Sequence, residues 1–319
     1  MSLAALQTAL EKSSPGHVFA KASLAERVAY RIGGPADLLL ETSSEQEIRG
    51  ALKLAHEHQV PVTILGNGTN ILIRDGGIRG LVIYMGQGAP GTGLDHGVTV
   101  ENEDDKSILL HVPAHCSKAR LLELAIEKTW GGLEFSAGIP GSIGGAVFMN
   151  AGTKWGSYGE VIESVRLYSE KLGFFEKKNS EMGFKYRGHG EGLLDGSTVV
   201  ISVKMRLSKQ KTQAEIRALV DEILTYRGAR QPLELPNCGS VFKNPENSPR
   251  GSGRLIEASG LKGFQIGQAQ VSLKHANFIL NRGGATAQDV EKLIRHIQSE
   301  VFRQQQIQIE TEVIILGEK

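Results

Sequence analysis

Residues 137–146 read Ala137-Gly138-Ile139-Pro140-Gly141-Ser142-Ile143-Gly144-Gly145-Ala146, four glycines and a proline within ten positions. A helix or strand interior resists that density, because each glycine costs roughly 0.5–1 kcal/mol relative to alanine in a regular element. The stretch is a turn, or a place where bare backbone approaches something closely. A second glycine turn, Gly66-Asn67-Gly68-Thr69-Asn70, closes the apolar run Val62 to Leu65, which reads as a buried strand. Outward from these turns, helix and strand patterns mix. Ser44 and Glu47 form a capping box ahead of Ile48, Ala51, Leu52 and Ala55, which fall at helical spacing. Ile71 to Ile73 and Leu81 to Tyr84 read as strands around a turn at Asp75-Gly76-Gly77. Gly86 to Asp105, rich in glycine and acidic residues, predicts hairpins or loops. Ser117 opens a helix carrying Leu121, Leu122, Leu124 and Ala125.

Farther on, Val199, Ile201, Val203, Met205 and Leu207 alternate with Ser202, Lys204 and Arg206, the period of a strand. Ser208 to Thr212 reads as a linker, followed by a helix with Ile216, Leu219, Val220, Ile223 and Leu224. Thr286 and Asp289 cap a helix carrying Val290, Leu293, Ile294, Ile297 and Val301. A last strand is expected over Ile307, Ile309, Thr311, Val313 and Ile315, with Glu310 and Glu312 on one face. The class is α+β, with the best boundary near residue 210.

A chain of 319 residues is long enough for about two domains. Its 36 basic and 35 acidic residues leave a net charge of +1, which argues against coating nucleic acid or an anionic membrane. Two cysteines far apart, Cys116 and Cys238, exclude a disulfide framework and a paired metal motif. No apolar run approaches the roughly 20 residues needed to span a bilayer, and the first residues lack a basic-then-apolar leader. The expectation is a soluble cytoplasmic protein with no metal, no nucleic-acid partner and no membrane insertion.

Each glycine turn has two readings, a phosphate cradle built from backbone N–H groups or a structural turn. Neither matches the dinucleotide G-x-G-x-x-G or the P-loop. Pro140-Gly141-Ser142-Ile143-Gly144 approaches a nucleophile elbow but has proline at the first glycine, and no acid and histidine follow in a fitting order. Tyr186-Arg187 precedes Gly188-His189-Gly190, a flexible turn whose arginine suits an anion, though most exposed arginines serve nothing specific. Asn237 to Pro245 sets small, polar and cationic groups in a turn-prone stretch that is either a plain loop or a site. Glu312 is either a buried, hydrogen-bonded carboxylate or the water-facing side of an edge strand.

In order along the chain, several segments resemble the family of UDP-N-acetylenolpyruvoylglucosamine reductases, flavoenzymes of bacterial peptidoglycan precursor synthesis. They are Tyr30 to Asp37, Leu65 to Gly77, Ala137 to Gly145, Met149 to Gly152, Tyr186-Arg187, Gly239 to Pro245, Gly253 to Glu257, Gly260 to Gly263, His275 to Phe278 and Glu312-Val313 before Gly317. The resemblance runs from about residue 28 to the end and is specific as an ordered set. It implies a two-lobed FAD-binding region of the vanillyl-alcohol-oxidase and para-cresol-methylhydroxylase type, placed at 1–103 and 104–210, and an α+β substrate-binding domain at 211–319. It implies noncovalent FAD, NADPH as hydride source, and reduction of the enolpyruvyl ether of a UDP-sugar to a lactyl ether, giving UDP-N-acetylmuramate.

By the same resemblance, Arg187 and Glu312 stabilise negative charge developing on the substrate carboxylate, and Ser240 donates a proton to the adjacent carbon. Gly66, Asn67, Gly68, Thr69 and Asn70, with Ile139, Pro140, Gly141, Ser142, Gly144 and Gly145, match the cofactor loops. Tyr186, Lys243, Asn244 and His275 match substrate-binding positions. Two stretches depart from the family pattern. His189 stands where a small hydroxyl residue is usual, and Thr153-Lys154-Trp155-Gly156 stands where Ala-Tyr-Gly is common. The length resembles the shorter subtype. Competing readings are an oxidase of the same fold and a nucleotide-binding relative with decayed chemistry. Such oxidases often tether flavin through His or Cys, and neither occurs between Gly66 and Gly77.

Overall fold

The computed structural model describes residues 3–86, 97–194 and 198–319. In chain order the elements begin with α1 (Leu3–Ser13), β1 (Val18–Ser23), β2 (Pro35–Glu41), α2 (Glu45–Glu57), β3 (Val62–Leu65), β4 (Ile71–Ile73) and β5 (Ile78–Tyr84). Next come β6 (Thr99–Glu103), β7 (Ser107–Pro113), α3 (Lys118–Glu127), α4 (Ile143–Met149), β8 (Gly152–Thr153), β9 (Gly156–Ser157), β10 (Ile162–Ser169), β11 (Gly173–Lys178), α5 (Asn179–Met182) and β12 (Thr198–Ser208). The chain ends with α6 (Gln213–Arg230), α7 (Ser252–Ala258), β13 (Gln265–Ile266), β14 (Ala269–Val271), β15 (Ile279–Asn281), α8 (Ala287–Gln305) and β16 (Ile314–Leu316). This is the α+β class that the patterns predict. Among the described residues no helix is long and apolar enough to cross a membrane.

The chain divides into two compact units. The first comprises Met1–Phe19, Leu39–Asn67 and Gly80–Arg227; the second comprises Ala20–Leu38, Gly68–Arg79 and Gly228–Lys319. In the first unit α2 forms as its capping residues dictate, with the Glu47 N–H donating to Ser44 Oγ at 3.4 Å. Ile48, Ala51, Leu52 and Ala55 are its buried face. Val62 to Leu65 pairs in parallel with Leu81 to Tyr84.

A five-stranded sheet in the order β11-β10-β12-β7-β6 makes the larger core of this unit. Its centre is β12, where Val203 sits opposite Val112 and Val165, and Met205 opposite Leu110. Because β12 lies between two neighbours and beneath other elements, even Ser202, expected to face outward, is buried. The segment read as hairpins or loops contains the β6–β7 hairpin over 99–113; residues 87–96 lie outside the described residues. Ser117 precedes α3 as expected, but its side chain makes no capping hydrogen bond, and Lys118 joins Leu121, Leu122 and Ala125 among the buried residues. On α6 only Ile216, Val220 and Ile223 are buried, and Leu224 is exposed.

The second unit folds around Tyr30, Leu72, Phe242, Leu255, Val290, Leu293 and Ile297. Helix α8 has the expected capping box between Thr286 and Asp289. Asp75, in the turn after β4, adds two acceptors at the same helix start, from the Ala287 N–H at 2.9 Å and the Gln288 N–H at 3.1 Å. The expected last strand is shorter than its alternation suggested. Only Ile314–Leu316 is regular, paired in parallel with Ile71–Ile73. Residues 307–313 instead follow Val241 to Lys243 irregularly, through a bridge between Phe242 and Thr311. Their apolar side chains meet the unit's core without a continuous ladder, since Ile309 and Val313 are buried while Glu310 is exposed.

Candidate active site

In the first unit the two glycine turns meet. A Cβ at Gly66 would lie 2.8 Å from Ser142 Oγ, so a side chain there would push against the Ser142 hydroxyl of the second turn. Ser142 is buried at the start of α4. The second turn is laced to the chain that leads into α3. The Lys118 N–H donates to the Gly141 carbonyl at 3.0 Å, the Ile143 N–H to Cys116 at 2.9 Å and the Gly144 N–H to Ala114 at 2.8 Å. Gly138 at φ +72° and Gly141 at φ +111° take backbone angles that side chains disfavour.

Gly145 differs. It is exposed, its φ is ordinary, and the nearest atom to an added Cβ is 3.8 Å away. The protein's own packing does not require glycine there, which fits a bare backbone surface reserved for a bound group. Two glycine-rich stretches in contact, the second running into α4 with a spare glycine at its surface, fit the diphosphate of a dinucleotide cofactor.

Near the second turn, burial lowers the Lys118 pKa to about 7, and Arg227 adds to the effect. Arg227 donates to the Gly138 carbonyl at 2.9 Å.

Tyr186 and Arg187 are also in this unit, as the two central residues of a tight turn. The Lys185 N–H donates to the Gly188 carbonyl at 3.0 Å and the Gly188 N–H returns to Lys185 at 3.2 Å. Arg187 adopts φ +54°, the left-handed region, and its guanidinium carbon lies 4.9 Å from the centre of the exposed Tyr186 ring. The departures from the family pattern form their own contacts nearby in sequence. His189 Nδ1 donates to the Gly190 carbonyl at 2.8 Å, and its ring stands edge-on to Phe148. Lys154 Nζ lies 4.3 Å from the Trp155 ring centre and 3.9 Å from that of Tyr226, a cation held between two aromatic faces.

In the second unit Gly68, at φ +57°, packs so closely on Val28 and the Arg27 carbonyl that a Cβ would overlap both. Thr69 follows, and Asn70 then reaches a predicted catalytic residue directly: its Nδ2 donates to the Glu312 carbonyl at 3.0 Å. The Ile314 N–H returns to the Asn70 carbonyl at 3.0 Å. The Glu312 N–H donates to the Val241 carbonyl at 2.7 Å, so Glu312 lies beside the residue that follows Ser240. Both Ser240 and Glu312 are half-buried. Cys238, two residues before Ser240, is buried, and burial pushes its thiol pKa up to about 12; the Tyr30 hydroxyl offsets this in part, and the Glu312 charge adds to it. Cys238 therefore stays a neutral thiol.

The remaining predicted substrate residues divide by role. Lys243 Nζ lies 3.7 Å from a Glu310 oxygen, on the side-chain fringe of the same paired segments. Asn244 Oδ1 accepts from the Ser252 N–H at 3.0 Å at the start of α7. His275 Nδ1 accepts from the Asn277 N–H at 3.2 Å; burial, then Lys262, lowers its pKa.

Sequence reasoning gave Asn277 no role, yet it holds the Ser240 segment. The Val241 N–H donates to its carbonyl at 2.8 Å, the Phe242 N–H to its Oδ1 at 2.9 Å, and its Nδ2 donates to the Phe242 carbonyl at 2.8 Å. A fully polar amide between Ala276 and Phe278, in an apolar stretch, was the available signal.

Comparison with known proteins bears on both units. The model of the FAD binding domain matches residues 36–171, and that of the UDP-N-acetylenolpyruvoylglucosamine reductase C-terminal domain matches residues 231–316. The chain is 39% identical to UDP-N-acetylenolpyruvoylglucosamine reductase of Latilactobacillus sakei, over 99% of each chain. It is 41% identical to that of Moorella thermoacetica, over 100% of this chain and 99% of the relative. The crystal structure of the Thermus caldophilus reductase superimposes with a TM-score of 0.75 at 31% identity, over 94% of this chain and 98% of that one. The chain belongs to the UDP-N-acetylenolpyruvoylglucosamine reductase family and is an FAD-dependent oxidoreductase.

Proposed function

We propose that the protein reduces UDP-N-acetylglucosamine enolpyruvate to UDP-N-acetylmuramate, a step in peptidoglycan precursor synthesis, with NADPH as reductant and FAD held noncovalently. The observation that carries this reading is in the second unit. Ser240 and Glu312, far apart in sequence, lie on segments joined by the Glu312–Val241 hydrogen bond, and Asn70 of the first glycine turn grips Glu312 from the other side.

FAD, when bound, would supply the hydride chemistry that couples NADPH to the enolpyruvyl double bond. The side chains of this chain then handle charge and proton. Gly66 and the 139–145 turn present backbone to the cofactor diphosphate, with Ile139 and Pro140 at its edge. Arg187 offers a fixed cation to the substrate carboxylate as it gathers enolate charge, and Glu312 assists while its carboxyl is protonated, since an ionised carboxylate would repel that charge. Ser240 Oγ–H delivers the proton to the adjacent carbon, a step for which a weak acid suffices because the acceptor is carbanion-like. Tyr186, Lys243, Asn244 and His275 supply the polar rim for the sugar nucleotide.

Stopped-flow measurement of the two half-reactions tests the assignment. Ser240→Ala should accept hydride from NADPH at close to the normal rate. Reoxidation of its flavin by the enolpyruvyl substrate should slow by at least about 100-fold, the contribution of a positioned proton donor. Equal slowing of both halves, or unchanged reoxidation, would rule Ser240 out as donor. NADPH consumption indifferent to the sugar nucleotide in the unaltered enzyme would overturn the function itself.

A further inference from the structure

Asn150 follows α4 directly and caps it in the left-handed region, at φ +39°. Asparagine tolerates that conformation better than most residues, so the cap alone would account for its presence. Its side chain does more. Buried to all but 8% of its surface, it uses both ends: Oδ1 accepts from the Gly159 N–H at 2.8 Å, and Nδ2 donates to the Lys185 carbonyl at 3.0 Å. Gly159 is tightly packed, since an added Cβ would lie 3.0 Å from Asn150 Oδ1 and 3.0 Å from Phe184 Cβ. Asn179 fixes the far side of Gly159 by donating to its carbonyl at 2.7 Å. The amide of Asn150 is thereby anchored at one end and free to position at the other.

What it positions is the turn that bears Arg187. The Lys185 carbonyl is the acceptor that closes this turn from Gly188, and Asn150 supplies its second hydrogen bond. Arg187 stands two residues on, in a left-handed conformation that is uncommon for a non-glycine residue. Asn150 also begins where the helix that follows the second glycine turn ends. We infer that Asn150 is a positioning residue, tying the Arg187 turn to the helix after the cofactor turn so that the guanidinium is held in place for the substrate carboxylate. The inference rests on the function proposed above.

Asn150→Asp separates this role from general stability. It keeps the size, the tolerance for left-handed backbone and the acceptor for Gly159, and when ionised replaces the donor to Lys185 by a carboxylate oxygen that repels its carbonyl. In the FAD-loaded protein, flavin reduction by NADPH should stay within about two-fold of normal, while reoxidation by UDP-N-acetylglucosamine enolpyruvate should fall about 10-fold or more, as expected when a positioned group shifts by a fraction of an ångström. Amide hydrogen exchange at Gly188 should quicken. In an Arg187→Ala background the same substitution should add almost nothing to the loss in reoxidation, because both changes act through one guanidinium.

Equal slowing of both half-reactions, a full additional loss in the Arg187→Ala background, or unaltered exchange at Gly188 would each overturn the inference. If the unaltered enzyme is reoxidised by the sugar nucleotide and Asn150→Asp matches it, only the positioning role fails. If the unaltered enzyme is not reoxidised, the proposed function fails and the inference with it. Asn150→Gly, which keeps the backbone and drops both side-chain bonds, should reproduce the reoxidation defect, and normal reoxidation in that variant would equally refute it.

Discussion

Beside Ser240 the left-handed backbone position falls on Gly239, at φ +80°; in the Tyr186–Arg187 turn it falls on Arg187 itself, at φ +54°. The frames differ accordingly. The Ser240 segment is held by backbone bonds to Asn277 and Glu312, by both ends of the Asn277 side chain, and by the Gly239 N–H donating to Asn237 Oδ1 at 2.9 Å. The Arg187 turn closes on itself and takes a further side-chain restraint from Asn150. The proposed proton donor thus follows a glycine that takes the left-handed position for it, while the proposed cation takes that position itself within a tight turn. Strain of that kind persists where the surroundings over-determine it, and removing it should stabilise the chain while harming chemistry.

Three substitutions probe that contrast. The largest effect is expected from Asn277→Ala. It strips both side-chain bonds from Phe242, whose backbone N–H and carbonyl are then left buried and unpaired, at a cost of about 3 kcal/mol. Denaturant unfolding measures this, and a loss under about 1 kcal/mol would show that the Ser240 frame does not depend on Asn277.

Arg187→Gly should do the opposite to stability. Relief of the left-handed position should raise it by about 1 kcal/mol, visible as a higher melting temperature, while reoxidation by the substrate collapses. A lowered melting temperature would mean that the arginine's packing outweighs the strain.

The smallest effect is expected from His275, whose pKa is held down by burial and then by Lys262. The unfolded chain binds its proton first as pH falls below about 6.5, so stability should decline from there and level off once the folded form also protonates. Protonation also removes the Nδ1 acceptor for the Asn277 N–H. His275→Gln should flatten this part of the pH–stability curve; a slope unchanged by the substitution would assign the acid sensitivity elsewhere.

Much of this was readable from residue types. The N-cap at Ser44, whose own N–H donates to Thr42 Oγ1 so that the expected box is only half made, and the full capping box at Thr286, with apolar residues at helical spacing, specify α2 and α8 locally, and each buried face matches its pattern. The glycine turns were visible as turns, but their contact through Gly66 and Ser142 joins segments distant in sequence, which no local pattern encodes. The alternation over Ile307 to Val313 promised a strand because period-two burial is compatible with any extended chain facing a core. A regular ladder also needs a partner in register, and among the described residues only Ile71–Ile73 provides one, for Ile314–Leu316. Lys118 was unreadable as a buried residue, since a lysine at a helix start is ordinarily solvated. Asn150 and Asn277 stood inside recognisable motifs, yet their work is to hold backbone groups whose need for partners appears only once the chain is folded.

The clasp between Asn70 and Glu312 spans 242 positions of sequence. During synthesis, β4 leaves the ribosome long before its partner β16 exists, so its hydrogen-bonding edge has no native mate for most of translation. The segment carrying Ser240 likewise waits for residues 310–313 before its backbone is paired. The second unit is therefore a late assembly relative to β4, closed by residues made 242 positions after Asn70, and the segments bearing the acid and the proton donor pair only once residues 310–313 exist.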